Sequence, residues 1–319
     1  MIMSKNIYKN LTDLTRQLMH KVQLPIYAHK FSKKDFTTYQ LMSLLVIKCY
    51  ERKGYRAFVD WLHISKIPKW LKLKKIPHFT TLQKFAQRLN IKSLEKMLIE
   101  SANVTKKCLH AAIDATGLSV RNPSRHYEMR ISMKIRKRDF LKLCFIADMD
   151  NQLILAAKLR KKPRHDVLDF LPLWNKVKHL AFRWFYMDRG YDKNLHHQVI
   201  FDSDKISFGC LKNLDVPIHR TKGSARKQAK RHRIHLKKRW RSLIESMNGV
   251  IKQKFGSIVY ARSLHTQKVE TYIKMITYNL YRISKKNLKL AVVFLRILTE
   301  LLFGWFHQRN QYMQRYYIG

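Results

Sequence analysis

The chain has 319 residues, of which 65 are Lys or Arg and 21 are Asp or Glu, for a formal net charge of +44. With 46% hydrophobic and 12% aromatic residues it can bury a sizeable core, which excludes a disordered basic tail. Cationic residues spread along a folded body point to a polyanion, nucleic acid first, because neutralised phosphates release their counterions.

The first hundred residues read as helical. Phe36, Gln40, Leu41, Leu44, Leu45, Lys48 and Cys49 follow helical spacing, with an apolar face. Gly54 is expected to end that helix, and Tyr55, Phe58, Val59 and Leu62 to begin another. Pro68 and Pro77 bracket a connector containing Trp70 and Leu71, and Thr80 offers an N-cap to a helix carrying Leu82, Phe85, Ala86 and Leu89. Such short helices suit a helix-turn-helix-like DNA-binding unit and a helical dimerisation domain equally.

From about Lys106 the pattern changes. Leu109–Val120, Lys142–Met149 and Leu153–Leu159 are short apolar runs separated by turn residues. His165–Leu180 reads as a helix, Phe182–Met187 as a strand ending at Asp188-Arg189-Gly190, and His196, Val199 and Ile200 as part of a further helix. Ile206–Leu211 is a fifth strand, Lys222–Arg233 a basic loop, and Arg231 to about Gln253 a long basic helix. Three strands, helix, strand, helix, strand, helix predicts an α/β sheet with a three-stranded meander and two strands reached by crossovers. Leu288–Phe306 is apolar but interrupted by Lys289, Arg296 and Glu300, so it reads as a buried or amphipathic helix rather than a membrane span.

Cys49, Cys108, Cys144 and Cys210 form no C-x-x-C pair, so neither a disulfide framework nor a zinc ribbon is expected. No apolar run follows Lys5 and Lys9, so no signal peptide is expected, and a cytoplasmic, nucleoid-associated location suits the chain. No phosphate-binding loop signature occurs, which argues against a nucleotide cofactor. His232 and His235 have metal-like spacing but lie among Lys and Arg, and read as phosphate contacts rather than zinc ligands. His196-His197 reads as helix surface; most aromatics around Asp188 read as core, with Tyr191 a candidate to line a groove.

Three carboxylates stand alone in this basic background. Asp114 is the only acid between Glu100 and Glu128, Asp188 the only one between Asp169 and Asp192, and Glu245 the only one between Asp215 and Glu270. Asp114 falls inside an apolar run, where a carboxylate is expensive to bury unless it pairs or binds metal. Asp188 falls at a strand end, where sites collect in α/β sheets. Around Glu245, at about 100° per residue, Arg241 is offset by roughly 40° and Lys252 by roughly 20° to the other side, so all three share one helix face. Each acid has an ordinary reading: a turn bond for Asp114, a helix cap for Asp188, an i,i+4 ion pair with Arg241 for Glu245. Together they propose a two-metal phosphoryl-transfer site, with hard oxygen ligands suited to Mg²⁺.

The blocks Ile-Asp-Ala-Thr-Gly, Met-Asp-Arg-Gly-Tyr-Asp, and Arg-x-x-x-Glu followed seven residues later by Lys resemble those of DDE transposases of bacterial and archaeal insertion sequences, groups four and five. The resemblance runs from roughly Lys106 to Arg282, and Ile-Pro-His-Phe-Thr-Thr-Leu-Gln-Lys-Phe is similar to the family's leading domain. It implies a ribonuclease-H-like mixed five-stranded sheet with flanking helices, preceded by an all-helical N-terminal domain. The expected division is 1–105, helical and DNA-binding or dimerising; 106–285, catalytic; and 286–319, a C-terminal helical segment. It implies Asp114, Asp188 and Glu245 as catalytic metal ligands for two Mg²⁺, with Mn²⁺ as a substitute, and Arg241 and Lys252 on DNA phosphates. Where the family commonly has Tyr three residues before the Arg, this chain has Lys238, a cation able to hold a phosphate.

The expected activity is Mg²⁺-dependent cleavage at the element's own terminal inverted repeats, then transfer of 3′-OH ends into target DNA. The partners are double-stranded DNA, as transposon ends and target, and a second copy of the chain in a synaptic complex. No membrane is expected. Two other readings stand beside it: a ribonuclease-H-like, structure-selective nuclease, and a DNA-binding derivative without catalysis.

Overall fold

The computed structural model describes residues 6–27, 31, 33–102, 108–120, 140–161, 165–209, 211–213, 215–232 and 239–286. The segment expected to be helical over 286–319 lies outside them, apart from residue 286, and so does Lys238.

Six helices open the chain: α1 (Ile7–Val22), α2 (Thr38–Tyr50), α3 (Tyr55–Ile64), α4 (Ile67–Trp70), α5 (Phe79–Arg88) and α6 (Ile91–Ala102). α2 is started by a reciprocal capping box between Thr37 and Gln40. It buries every residue from Leu41 to Ile47, as a helix surrounded by others must. Two expectations shift here. α2 stops at Tyr50, with Arg52 in the left-handed region, and Gly54 is instead the N-cap of α3. α5 starts at Phe79 with His78 as its cap residue; Thr80 sits in the first turn with its hydroxyl on His78 Nδ1 at 2.8 Å.

The sheet has the order β3-β2-β1-β4-β5, from β1 (His110–Ser119), β2 (Phe140–Asp148), β3 (Leu153–Arg160), β4 (Trp184–Met187) and β5 (Ile206–Gly209). β1–β2 and β2–β3 are antiparallel, as a meander must be, while β1–β4 and β4–β5 are parallel and joined through helices. This is the ribonuclease-H-like arrangement. β2 is buried from Leu141 to Asp148, which explains why its sequence is a near-continuous apolar run. α7 (Val167–Val177) packs on β2 and β3, and α8 (Asn194–Phe201) on β5. α7, β4 and β5 are each shorter than the apolar runs suggested.

The expected basic loop at 222–233 contains a helix, α9 (Ser224–His232). Its only apolar residues, Ala225 and Ala229, are one turn apart and buried, and it packs against α8 and β5. The basic helix that follows is α10 (Arg239–Phe255), which packs on β1; residues 233–238 of the expected helix lie outside the described residues.

A last helix, α11 (264–286), joins both halves of the chain. Asn279 accepts from the Ile154 N–H at 2.8 Å, and its amide donates to the Ile154 carbonyl at 2.9 Å and to Ser101 at 2.8 Å. Tyr272 donates to Glu95 at 2.7 Å, and Asn10 to Ser284 at 3.2 Å. The apolar core runs unbroken from Leu11 to Ile283. Among the described residues no helix is long and apolar enough to cross a membrane.

Candidate active site

The register of the sheet brings the first two isolated acids side by side. β1 pairs with β4 as His110↔Trp184, Ala111↔Phe185 and Ala112↔Tyr186. Two residues further along each parallel strand are Asp114 and Asp188, on the same face as Ala112 and Tyr186 because strand side chains alternate. Asp114 interrupts the buried run Ala111–Ile113 at the point where β1 emerges into partial exposure, and Asp188 directly follows the last residue of β4.

The third acid arrives on α10. Asn248 donates its amide to Asp114 Oδ2 at 2.5 Å, pinning that helix to the middle of β1. Glu245 lies one turn earlier on the helix, on the same side as Asn248, and is exposed. Burial pushes the Asp114 carboxyl above the usual carboxylate range. The Ala115 N–H, at 2.8 Å, opposes that push, and the negative charges of Asp188, Glu245 and Asp166 add to it. The structure thus brings Asp188 and Glu245 within electrostatic reach of Asp114. Lys252 is on the same helix, about 10 Å further along its axis, and partly exposed. Arg241 lies one turn before Glu245 on the α10 backbone.

A fourth carboxylate, Asp166, belongs to the cluster and was not singled out in the sequence. It lies just before α7 and pairs with Lys142 at 2.5 Å. Lys142 is buried in β2, and also reaches Asp169 at 3.5 Å. A Cβ on Gly190 would lie 3.0 Å from Asp166 Oδ2. Gly190, two residues after Asp188, therefore packs closely on a carboxylate that would have to give way to a larger residue. Asn248 could have been found from its i+3 spacing to Glu245.

The turn that carries Asp188 is anchored from behind. Asp192 has a fully buried carboxylate that accepts from Arg226 Nε at 2.9 Å and Nη2 at 2.7 Å, the Lys212 N–H at 2.7 Å and His197 Nε2 at 3.1 Å. Burial alone would raise its carboxyl, but His197, the Lys212 N–H and Arg226 outweigh that and pull it down to about 2. His196 and His197, expected on a helix surface, are both buried. His196 meets the Tyr191 carbonyl at 2.8 Å and stacks on Phe170, and His197 Nδ1 meets Ser207 Oγ at 2.8 Å. Their polar atoms are satisfied by partners distant in sequence, which makes burial affordable. Tyr191 is core rather than groove, 1% exposed with its hydroxyl 3.0 Å from Cys144 Sγ. His235 lies outside the described residues.

The donor set at Asp114 suits a hard divalent cation. It consists of carboxylates, and the Asn248 side-chain oxygen beside them is buried without a hydrogen-bond partner. Cys108, Asp148 and Asp150 also place ligand atoms within 4.8 Å of one another. Their oxygens are otherwise occupied. Asp148 accepts from Asn151 at 2.6 Å and from the N–H groups of Asp150 and Asn151, while Asp150 accepts from the N–H groups of Leu109 and His110. That cluster closes the β2–β3 turn against the start of β1.

Comparison with known families and structures gives three results. The family described as Transposase DDE domain matches residues 106–280. No curated protein matches the chain. Similar solved structures include the cryo-EM structure of a piggyBac transposase synaptic complex with hairpin DNA, at 8% identity and a TM-score of 0.44, over 90% of this chain and 73% of that one.

Proposed function

The chain belongs to the transposase DDE domain family, and we propose that it cuts DNA at the ends of its own insertion element and joins the freed 3′-OH ends to target DNA. The observation that carries this reading is the shared electrostatic field of Asp114, Asp188 and Glu245, three acids from two adjacent parallel strands and the helix laid across them.

In this reading Asp114, Asp188 and Glu245 hold two divalent ions, Mg²⁺ by the hardness of the donors and Mn²⁺ as a substitute. When bound, such a pair supplies charge neutralisation at the phosphate and an activated oxygen nucleophile. The chain's own groups do the rest. Asn248 fixes the rotamer of Asp114 through Oδ2, and the Ala115 N–H holds Oδ1. Lys142 offsets the charge of Asp166, so the fourth acid adds less repulsion to an approaching phosphate. Arg241 and Lys252 flank Glu245 along α10 and are assigned to the DNA backbone on either side of the scissile bond; Lys238, outside the described residues, is assigned the same role from the sequence.

The bond changes balance without a nucleotide cofactor. Water attacks the scissile phosphorus, a P–O bond forms, and the bond to the 3′-oxygen breaks to leave a 3′-OH. That hydroxyl then attacks a target phosphorus and displaces the target's 3′-oxygen, one phosphodiester replacing another. Two ends must be held for paired joining, so the working unit is a dimer bound to DNA.

The test is cleavage and joining by Glu245→Gln on duplexes carrying the element's terminal repeats. Loss of both by at least about 10³-fold is expected, a few kcal/mol of transition-state stabilisation, with end binding in EDTA retained. Cleavage at the parent's rate would end the assignment. Supplying pre-cut ends separates transposition from simple nuclease action, because only a transposase makes joined products from them.

A further inference from the structure

A groove of about 760 Å³ lies between the N-terminal helices and the segment linking α10 to α11. Its walls carry Lys48, Arg52, Lys53, Arg262 and Lys274 and one acid, Glu270; Lys274 pairs with that acid and burial pulls Lys48 below the usual lysine range, so the excess charge is that of Arg52, Lys53 and Arg262. That acid is already engaged. Glu270 accepts from the Tyr260 N–H at 3.1 Å and the Ala261 N–H at 3.0 Å, and pairs with Lys274 at 3.4 Å. Glu270 and Lys274 offset each other in holding the linker, so the net charge of the groove is that of Arg52, Lys53 and Arg262.

The groove is built rather than incidental. α10 ends at Phe255, and Gly256 takes a left-handed φ of 87°, which turns the chain back beneath α2. Lys274, 6% exposed, donates to the carbonyls of Gly256 and Ile258 at 3.2 and 2.6 Å. Arg52 donates to the Gln253 carbonyl at 3.1 Å, so the last turn of α10 and the end of α2 form one wall. Ser263 caps the N-terminus of α11, accepting from the Thr266 N–H at 3.2 Å, and directs that helix end toward the same space. Arg262, beside the cap, is exposed.

The position of the groove identifies its occupant. Phe255 is ten residues after Glu245 on one helix, about 15 Å along its axis. Lys252 lies between them, on the same helix. For a duplex laid along α10, at about 3.4 Å per base pair, this span corresponds to about four or five base pairs. We infer that the groove between α2, α5 and the α10–α11 linker holds the sugar–phosphate backbone of the DNA arm, about four or five base pairs from the scissile bond, with Arg52, Lys53 and Arg262 as phosphate contacts. The inference rests on the chain being a DNA-cutting transposase. It adds a second anchor on the N-terminal helices, so that one DNA arm bridges them and the catalytic sheet.

The test measures binding of a random-sequence 40-bp duplex in EDTA across a salt series, which requires no active carboxylates. Each phosphate contact contributes about 0.9 to the slope of log affinity against log salt. Arg52→Ser/Arg262→Ser is therefore expected to lower the slope by about 1.8 and to weaken binding on the order of 60-fold at 0.1 M salt. The control Lys178→Ser/Arg183→Ser removes two cations near the start of β4, at the other end of the sheet, and is expected to leave the slope near the parent's. Arg262→Ser alone, with the Arg52 bond to Gln253 intact, is expected to lower it by about 0.9, which keeps the test valid if the double variant does not fold. An unchanged slope in Arg262→Ser, or an equal loss in the control pair, overturns the groove assignment. Neither outcome touches the Glu245→Gln cleavage test, so the two readings fail separately.

Discussion

Replacing Asp192 with Asn is expected to cost at least about 2 kcal/mol at neutral pH. The carboxylate is fully buried and receives hydrogen bonds from Arg226, His197 and the Lys212 N–H. Its carboxyl falls from the ordinary 3.8 to about 2 on folding. Because the folded value is depressed, the contribution is present above the unfolded value and is lost as pH falls through the folded one. The difference corresponds to about 2 kcal/mol, a figure that already contains the Arg226 pair. Urea unfolding at pH 7.5, 5, 4 and 3 reads this directly. The gap between parent and variant should be flat to about pH 5 and fall to roughly half by pH 3. Since Arg189–Tyr191 is a single short turn joining Asp188 to Asp192, cleavage should also fall at temperatures where the variant is folded. Variant and parent within about 0.5 kcal/mol at pH 7.5, or a gap that stays constant down to pH 3, would refute the reasoning.

The remaining expectations concern charge and backbone. Asp114→Asn should raise the thermal midpoint at pH 7.5 in EDTA. Burial and neighbouring acids hold the Asp114 carboxyl above its usual range, so its favourable contribution is full at acid pH and disappears as pH rises through the folded value. The gain should vanish toward pH 3, and millimolar Mg²⁺ should raise the parent's midpoint more than the variant's; a variant less stable than the parent in EDTA contradicts this. Gly223→Ala should cost about 1–3 kcal/mol by chemical denaturation. Gly223 has a φ of 91°, and a Cβ would stand 2.3 Å from Asn194 Oδ1, the atom that also accepts from the Arg226 N–H at 3.2 Å. A neutral result there would mean that the α8–α9 junction relaxes freely.

Much of the sheet was legible because each strand carries its own apolar run, and a run buried on both faces, such as Leu141–Ala147, needs no partner to be recognised. α9 was illegible for the opposite reason. Its sequence, Ser-Ala-Arg-Lys-Gln-Ala-Lys-Arg-His, offers only two alanines to a core, and its helix is held by packing on α8 and β5 and by the reach of Arg226 to Asp192. The burial of His196 and His197 likewise depends on Tyr191, Ser207 and Asp192, and no local pattern announces such partners. Asp114, Asp188 and Glu245 were readable from their isolation. The Lys142–Asp166 pair was not, because each residue alone looks like an ordinary surface charge until β2 and the start of α7 bring them together.

Isolation in a basic chain is still an incomplete criterion, since Asp169 and Asp192 lie in the same cationic background and have structural roles. The sign of the neighbours separates the two groups. Asp169 is surrounded by Lys142, Lys158 and Arg160, and Asp192 by Arg226 and His197. In each case the protein supplies the compensating cation. Asp114 takes neutral donors, the Ala115 N–H and the Asn248 amide, and stands in the field of three further acids that raise its carboxyl. Lys142 offsets Asp166, whereas at Asp114 the bonded groups are neutral donors and the neighbouring charges are acids, an arrangement that agrees with the proposed divalent-ion role.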